Sequence, residues 1–264
     1  MPGFIHPTAI IEPGAQLASD VRVGPYSIIG ANVSIGPGSV VGPHCVIDGH
    51  TEIGSKNTFY RYCSIGGMPQ DKKYNGEPTK LVMGNGNTVR EYVTINTGTV
   101  QDVGTTRVGD DNWIMAYVHI AHDCQIGNHT VIANAVQLAG HIHVGDWVVL
   151  GGLSAVHQFV RIGAHAMIGG TSSIRQDIPP YLLGAGDPFR PVGINSEGLS
   201  RRGFDGDVIS VLKDAYRCLY RRKLTTVQAV DEIRVLQANN PVAHDAIQVL
   251  LDFIDSSDRG IVRA

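Results

Sequence analysis

Large aliphatic residues recur at every sixth position through most of the first 174 residues of this chain. One register covers residues 5–95, with Phe59 and Met83 at two of its positions and a break after residue 65. A second register, displaced by one residue, covers residues 108–174 and contains only Val, Ile and Leu. A fixed period of this length predicts a solenoid in which each repeat stacks on the next one.

The alternation inside each repeat indicates short strands. Two residues before each large aliphatic residue stands a small one, and this spacing is that of side chains on one face of a strand. These small residues are Ala9, Ala15, Ser27, Ser39, Cys45, Thr51, Cys63, Ser154 and Ala166. Gly, Pro, Asn and Asp are frequent at the other positions and favour turns. Three strands and three turns make a triangular coil of 18 residues, and we expect successive coils about 4.8 Å apart.

The composition suits such a coil and argues against several classes of function. Glycine accounts for 32 of the 264 residues, and charged residues for 17%. The net charge of −3 argues against a nucleic-acid surface. No apolar run reaches the roughly 20 residues of a membrane span, and the first residues lack the features of a secretory signal. The four cysteines include no CxxC pair. We therefore expect a cytoplasmic protein without an integral membrane segment.

Two segments interrupt the six-residue period, near residues 66–82 and 97–107. Both are polar and rich in glycine, which predicts loops that leave the coil. Long loops on a rigid scaffold often carry binding or catalytic residues. We therefore expect these insertions to contribute to a functional site.

Beyond residue 174 the period ends in a proline-rich stretch, and apolar residues then follow a spacing of three and four. This spacing predicts three α-helices. The apolar positions are Val208, Val211, Leu212, Ala215 and Leu219, then Val227, Val230 and Ile233, then Ala246, Val249, Leu250 and Phe253. Asp205 and either Thr225 or Thr226 are the predicted N-caps, and Pro241 is predicted in a first helical turn.

These patterns predict a mainly β protein with two domains. Residues 1–190 form the solenoid with its two insertions, and residues 191–264 form a C-terminal α-helical domain. The helical domain has two possible roles, because stacked repeats need a cover at their open end and because it could also bind substrate.

Stacking at intervals of 18 residues places several polar residues on one corner of the solenoid. His122, Gly140 and Gln158 lie one above another, with His141 and His157 beside them. Histidine is suited to proton transfer near neutral pH, so this column predicts a general base. Adjacent residues of an extended chain point apart. Asp123 can therefore orient His122 only where the turn bends back, and the sequence leaves this open.

The cysteines are weaker candidates for chemistry. Cys45, Cys63 and Cys124 occupy the small inward position of the repeat. The stacked pair Cys45 and Cys63 has a spacing that permits a disulfide, but a reducing compartment favours packed thiols. An inward Cys124 is a poor nucleophile, which leaves His122 as a general base.

A metal site is an alternative interpretation of the same corner. His119 and His122 lie three positions apart, and a neighbouring subunit could supply a third ligand, as in the γ-class carbonic anhydrases. Zinc accepts three histidine ligands.

Several segments outside the repeat carry a closer resemblance. The repeat itself resembles the hexapeptide-repeat proteins, which form left-handed parallel β-helices and are mostly acyltransferases. QDKKY, GEPT, AYVHIAHDC, AVHQF, DIPPY and NSEGLSRRGF are similar to the UDP-N-acetylglucosamine 3-O-acyltransferase family, whose reaction begins lipid A biosynthesis. These segments occupy residues 70–74, 76–79, 116–124, 155–159, 177–181 and 195–204.

The resemblance implies a role for each matching residue. His122 is implied as the base that deprotonates the glucosamine 3-hydroxyl, with Asp123 as its support and the Gly140 N–H as oxyanion donor. Further residues are implied to bind substrate or carrier: Gln70, Asp71, Lys73, His141, His157, Gln158, Gly170, Asn195, Glu197, Arg201 and Arg202. Gly170 occupies the position that sets acyl length in the family, and a glycine there implies a longer chain.

The same resemblance implies the partners of the protein. They are UDP-N-acetylglucosamine, an acyl carrier protein carrying a 3-hydroxyacyl chain, and two further copies of the chain in a homotrimer. Neither a cofactor nor a metal is implied. The sequence departs from the family at Asn96 and Thr97, where His-Arg is common, and at Pro188, where a histidine is common. These departures put secondary contacts in doubt and leave the base unaffected.

Three other functions compete with this one. An N-acyltransferase of the same pathway usually carries an extra N-terminal domain, whereas here the repeat begins at Ile5. An acetyl-CoA-dependent hexapeptide enzyme does not need the long first insertion. A non-enzymatic interaction scaffold does not need the polar corner.

Overall fold

Three parallel sheets form the faces of a triangular solenoid in the computed structural model, which describes residues 3–263. Each strand pairs with the strands one coil below and one coil above, so that Phe59 lies between Val41 and Val89. Ile120 pairs with Leu138 in the same manner on a second face. The parallel β-helix expected from the six-residue period is confirmed.

The strands are short, because a strand of two to five residues spans one edge of the triangle. Face one contains Phe4–Ile5, Arg22–Val23, Val40–Val41, Thr58–Phe59, Thr88–Val89, Trp113–Ile114, Val131–Ile132, Val149–Leu150, Met167–Ile168, Leu182–Ala185 and Arg190–Ile194. Face two contains Ile10–Ile11, Ile28–Ile29, Val46–Ile47, Ser64–Gly67, Thr94–Asn96, His119–Ile120, Gln137–Leu138, Ala155–Val156 and Ser173–Ile174. Face three contains Gln16–Leu17, Val33–Ile35, His50–Ile53, Lys80–Met83, Thr105–Val108, Gln125–Ile126, His143–Val144 and Arg161–Ile162.

The large aliphatic positions fill the inside of the solenoid, and the small positions sit at its corners. Ile29, Ile65 and Leu138 are completely buried, as are the small residues Ser27 and Ala166. Ile5 departs from this pattern, because it belongs to the first coil and is 48% exposed. The periodic residues therefore form one continuous core.

The corners are turns in which one residue adopts a left-handed conformation. We call them the one–two, two–three and three–one corners, after the faces that they join. At the one–two corner the rings of Tyr26, His44, Tyr62, Tyr92 and Tyr117 stack on successive coils, with centroids 4.9–5.2 Å apart. These rings form a column on the surface, and the distance between them is close to the spacing of the coils.

Both insertions leave the solenoid at the two–three corner, and both are shorter than the sequence predicts. The strands Ser64–Gly67 and Lys80–Met83 leave residues 68–79 as loop one. The strands Thr94–Asn96 and Thr105–Val108 leave residues 97–104 as loop two. The ends of the predicted insertions lie in strands because they pair with neighbouring coils.

The solenoid continues past the last residue of the sequence period. Leu182–Ala185 pairs in parallel with Met167–Ile168 and then antiparallel with Arg190–Ile194. Pro188 lies in the turn of this hairpin. The division into domains 1–190 and 191–264 stays a prediction: it cuts the second hairpin strand, and residues 1, 2 and 264 lie outside the described residues.

Four α-helices follow the hairpin, one more than the sequence predicts: α1 (Ser196–Arg201), α2 (Gly206–Tyr220), α3 (Thr226–Asn239) and α4 (His244–Asp255). The helix α1 has six residues, too few to show a periodic pattern. Asp205 caps α2 and Thr225 caps α3, which confirms two predicted caps. Pro241 begins a short 3-10 helix ahead of α4 and not the first turn of an α-helix.

The segment after α4 returns to the solenoid. The Ser257 hydroxyl donates to the buried carboxylate of Asp177 at 2.7 Å, and the Val262 N–H donates to the Asp177 carbonyl at 2.8 Å. Within residues 3–263, no helix has the length and apolar character needed to cross a membrane.

Candidate active site

The turn that carries His122 bends back on itself at the two–three corner. Asp123 adopts the left-handed conformation with φ of 60°, and this brings its carboxylate to the preceding side chain. The distance between His122 Nδ1 and Asp123 Oδ2 is 3.0 Å. The sequence left open whether Asp123 can orient His122. The structure shows that it can, because the turn reverses the chain between these adjacent residues.

The carboxylate of Asp123 is completely buried and held by loop two. It accepts hydrogen bonds from the Thr99 N–H at 3.0 Å and from the Thr99 hydroxyl at 2.6 Å. Burial raises the pKa of Asp123, but the hydrogen bonds from His122 and Thr99 outweigh this effect, so the pKa lies below its ordinary value. An ionised carboxylate only accepts hydrogen bonds. The proton of His122 therefore resides on Nδ1, which leaves Nε2 free to act as a base.

Gly140 lies directly against the imidazole of His122. A Cβ atom at this position would lie 2.5 Å from Cε1 and 2.7 Å from Nε2 of that ring. The backbone of Gly140 is not in the left-handed region. The glycine is therefore required by the close approach of the ring and not by its own conformation.

His141 lies beside His122 and is held from three directions. Its Nδ1 is 2.6 Å from Asp102 Oδ2, and its ring stacks on Phe159 with centroids 4.3 Å apart. The edge of the His122 ring meets it with centroids 4.8 Å apart.

A cavity of about 1120 Å³ opens at this corner between the two loops and the segment after α4. Six predicted site residues line it: Gln70, Asp71, Lys73, His122, His141 and Gln158. The sequence did not single out the other lining residues: Lys72, Gln101, Asp102, His143, Phe159, Arg161, Asp177, Asp258 and Arg259. Asp102 lies within a predicted insertion and could have been suspected. Asp258 and Arg259 carry no sequence signal, because nothing in the pattern shows that this segment returns to the solenoid.

Asn96 and Thr97, the first departure from the family pattern, hold loop one against the coil. The Asn96 side chain donates to the Met68 carbonyl at 2.9 Å, and the hydroxyls of Thr97 and Thr79 are 3.3 Å apart. Both residues are buried. Their role in this chain is to support the wall of the cavity.

Gly170 and His157 lie outside the lining of the cavity. Gly170 occupies the one–two corner, across face two from His122. His157 is at the two–three corner, where its Nδ1 is 3.5 Å from the Arg259 guanidinium.

The four predicted residues around α1 lie near the three–one corner. The Asn195 side chain caps α1 and donates to the His165 carbonyl at 2.9 Å. Glu197 and Arg201 pair with each other at the surface, 2.9 Å apart. The guanidinium of Arg202 lies 5.1 Å above the Trp147 ring. A single chain therefore does not bring these residues to the His122 cavity.

Within residues 3–263, His119 and His122, the pair considered as metal ligands, do not form a ligand group together. The Nδ1 atom of His119 is 2.7 Å from the Thr94 hydroxyl, and burial lowers the pKa of His119. The group with ligand atoms within 4.8 Å of one another is instead His122, Asp123 and His141. In that group the atoms of Asp123 are already engaged by Thr99 and His122, which fits a hydrogen-bonded network better than a coordination shell.

The cysteines pack as the sequence predicts. All four are free and buried, and the thiols of Cys45 and Cys63 both donate to the Tyr60 carbonyl. Burial raises the pKa of Cys124 to about 12. Cys124 therefore stays a neutral thiol at pH 7 and cannot act as a thiolate nucleophile.

Comparisons with known proteins agree with the fold. A bacterial transferase hexapeptide model matches residues 3–37 and 105–140, and a model described as UDP-N-acetylglucosamine O-acyltransferase, domain 2, matches residues 177–262. A solved UDP-N-acetylglucosamine O-acyltransferase from Moraxella catarrhalis has a TM-score of 0.94 at 45% identity, covering 98% of this chain and 99% of that one. The shared fold is the left-handed parallel β-helix, as predicted.

Two curated relatives extend the similarity over the whole sequence. Both are named acyl-(acyl-carrier-protein)–UDP-N-acetylglucosamine O-acyltransferase. The protein from Polynucleobacter asymbioticus is 59% identical over 262 residues, and the one from Paraburkholderia xenovorans is 55% identical over 259. Each match covers 98% of this chain and 99% of the relative. The chain therefore belongs to the acyl-carrier-protein-dependent UDP-N-acetylglucosamine O-acyltransferase family.

Proposed function

We propose that this protein transfers a 3-hydroxyacyl chain from acyl carrier protein to the glucosamine 3-hydroxyl of UDP-N-acetylglucosamine, the first step of lipid A biosynthesis, with His122 as general base. The observation that carries this proposal is the His122–Asp123 pair at the floor of the cavity. A buried carboxylate that fixes Nδ1–H in the neutral imidazole makes Nε2 the acceptor for the proton of a substrate hydroxyl.

The transfer follows from this arrangement. His122 Nε2 removes the proton of the 3-hydroxyl while the oxygen attacks the thioester carbonyl. The resulting tetrahedral oxyanion accepts a hydrogen bond from the Gly140 N–H, for which residues 3–263 offer no other acceptor. When the intermediate collapses, the carbon–sulfur bond breaks and the thiolate takes the proton back from His122. Asp123 remains ionised throughout and stabilises the imidazolium.

The charges of the cavity support a sugar nucleotide as the acceptor. Lys72, Lys73 and Arg259 are exposed at its rim, where a diphosphate would meet cations. Asp71 and Gln70 provide carboxylate and amide groups suited to sugar hydroxyls. We assign Gln70, Asp71 and Lys73 to sugar and product contacts, and Gln158, His157 and His141 to the sugar–nucleotide and acyl site.

The distribution of the remaining site residues supports a homotrimer with sites between subunits. His122, Gly170 and Arg202 belong to three different corners of one triangular solenoid, so one chain cannot present all of them to one substrate. Three solenoids side by side bring a corner of one chain to another corner of its neighbour. Gly170 then limits the acyl groove, while Asn195, Glu197, Arg201 and Arg202 reach the nucleotide or the carrier protein. We further propose that the enzyme acts in the cytoplasm, and that residues 191–264 form a C-terminal α-helical domain.

The activity is tested with purified protein, UDP-N-acetylglucosamine and 3-hydroxyacyl carrier proteins of several chain lengths. Mass spectrometry should detect the acylated sugar nucleotide, with longer chains preferred. Absence of product at every chain length would refute the proposed reaction.

The base is tested separately by the substitution His122→Ala. Loss of general-base catalysis should lower kcat at least about 100-fold. His244→Ala is a suitable control, because the His244 side chain is 58% exposed at the start of α4 and does not line the cavity. Turnover of the His122 variant close to that of the control would rule out the assignment.

A further inference from the structure

Beside the His122–Asp123 pair lies a second histidine–carboxylate pair, formed by His141 and Asp102. We infer that Asp102 is a positioning residue that fixes the ring orientation and tautomer of His141, so that loop two controls both imidazoles of the site. This inference rests on the proposed function, because it concerns how His141 serves the acyl transfer.

The contact between Asp102 and His141 is short, and its histidine is largely shielded from solvent. Asp102 Oδ2 lies 2.6 Å from Nδ1 of His141, whose side chain is 10% exposed, while that of Asp102 is 35% exposed. A second carboxylate oxygen, from Asp123, lies 3.8 Å from the same nitrogen. Phe159 covers one face of the ring at an interplanar angle of 8°. The plane of the imidazole is thus set by stacking, and its rotation within that plane is set by Asp102.

One turn of loop two supplies the partners of both histidines. The Asp102 N–H donates to the Thr99 carbonyl at 3.3 Å, which holds these two residues three positions apart in a closed turn. Thr99 binds the carboxylate of Asp123 through its N–H and its hydroxyl. The loop is therefore tied to the His122 pair at one end of the turn and to His141 at the other.

The chemical consequence concerns the second nitrogen of His141. A carboxylate is an acceptor, so the hydrogen between it and the imidazole belongs to Nδ1. In neutral His141 this leaves Nε2 as an acceptor, and no group within residues 3–263 is hydrogen-bonded to it. Without Asp102 the ring could carry its proton on either nitrogen and could flip. The site would then present a mixture of donor and acceptor to the substrate.

The experiment is a double-mutant cycle on the full-length enzyme. Steady-state kcat and KM are measured for wild type, Asp102→Ala, His141→Ala and the double variant, together with Asp102→Asn. The amide oxygen of Asp102→Asn can still accept from Nδ1–H. Val103→Ala is the matched loop control, because the Val103 side chain is 62% exposed beside Asp102. Thermal unfolding of each variant verifies that it is folded, and Asp102→Ser replaces the alanine variant if that variant is not.

A hydrogen bond to a charged group predicts a loss of about tenfold or more in kcat/KM for Asp102→Ala. Asp102→Asn should recover most of the loss, and Val103→Ala should match wild type. In the His141→Ala background, Asp102→Ala should have no further effect. The inference is overturned if Asp102→Ala stays within about twofold of wild type, if Asp102→Asn recovers nothing, or if the loss persists undiminished without His141. The His122→Ala measurement reports independently on the base, so a failure of either idea can be told from a failure of the other.

Discussion

At the scale of single residues, the site depends on a glycine that has no side chain to contribute. Gly140 provides the space into which the His122 ring fits, and a methyl group there would overlap the ring. Because Asp123 holds Nδ1 of the ring at 3.0 Å, the imidazole cannot move away without disturbing this hydrogen bond.

We therefore expect Gly140→Ala to displace the His122 ring and to lower kcat by about 100-fold, the scale of a misplacement near 1 Å. The backbone of Gly140 is outside the left-handed region, so the added methyl group acts through its contact with the ring and not through backbone strain. Steady-state kinetics measures the effect, and Gly193→Ala, where a Cβ meets nothing within 4 Å, is the control. A Gly140→Ala enzyme with full activity would show that the ring position does not matter.

His165 predicts a dependence of stability on pH. Burial, followed by the nearby charge of Arg202, lowers the pKa of His165 to about 4 from its ordinary 6.5. As pH falls, the unfolded chain takes up this proton before the folded one does. The contribution of neutral His165 to the free energy of unfolding is therefore complete above pH 6.5, and it is lost progressively as the pH falls from 6.5 to about 4.

In His165→Asn this part of the acid destabilisation should be absent, so its melting temperature should fall less than that of wild type over that pH interval. Differential scanning fluorimetry at several pH values measures the difference. Identical slopes in both proteins would mean that His165 does not titrate as expected.

At the scale of elements, α3 depends on its N-terminal cap as well as on its buried residues. The Thr225 hydroxyl accepts from the Gln228 N–H, and the Gln228 side chain accepts from the Thr225 N–H, so α3 begins with a capping box.

Thr225→Ala removes half of this box and should lower the free energy of unfolding by about 1 kcal/mol. Denaturant unfolding followed by circular dichroism measures the change. Thr226→Ala, one residue later and inside the helix, controls for the loss of a threonine and should be near neutral. A larger loss in the control than at Thr225 would contradict the capping role.

The coil could be predicted from the sequence because every sixth position must supply an aliphatic side chain to the same core. Residues such as Ile120 and Leu138 are 18 apart and face the same interior, so spacing alone positions them. Loop two has no such repeat. The contact between Asp102 and His141 joins residues 39 apart, and it depends on a turn conformation that composition does not fix. The Asp123–His122 contact likewise needed the left-handed turn, which the sequence could only leave open.

At the scale of the whole molecule, the proposed homotrimer makes the active site a property of the assembly. If His122 and Gly170 of one site come from neighbouring subunits, two inactive variants can restore one another. A trimer mixed from His122→Ala and Gly170→Met subunits then contains a site in which both residues are intact.

We expect co-expressed His122→Ala and Gly170→Met to show activity with a long acyl donor well above the sum of the two parents. Mixing His122→Ala with Asp123→Ala should restore nothing, because these residues pair within one chain. Analytical ultracentrifugation should give three times the 28.3 kDa chain mass. Equal behaviour of the two mixtures would argue for a site contained in a single subunit.

The segment after α4 returns to the solenoid, where Arg161 donates to the Ser256 carbonyl at 2.6 Å and Asp177 accepts from Ser257. Asp258 and Arg259 of this segment line the cavity. Exchange of the helical region between family members would therefore also replace part of the wall of the His122 cavity. A chimera keeps its cavity intact only when solenoid and helices come with matching residues at these contacts. A chimera joined near residue 190 must therefore match at Arg161 and Asp177, which precede the junction in the sequence but contact residues 256 and 257 after it.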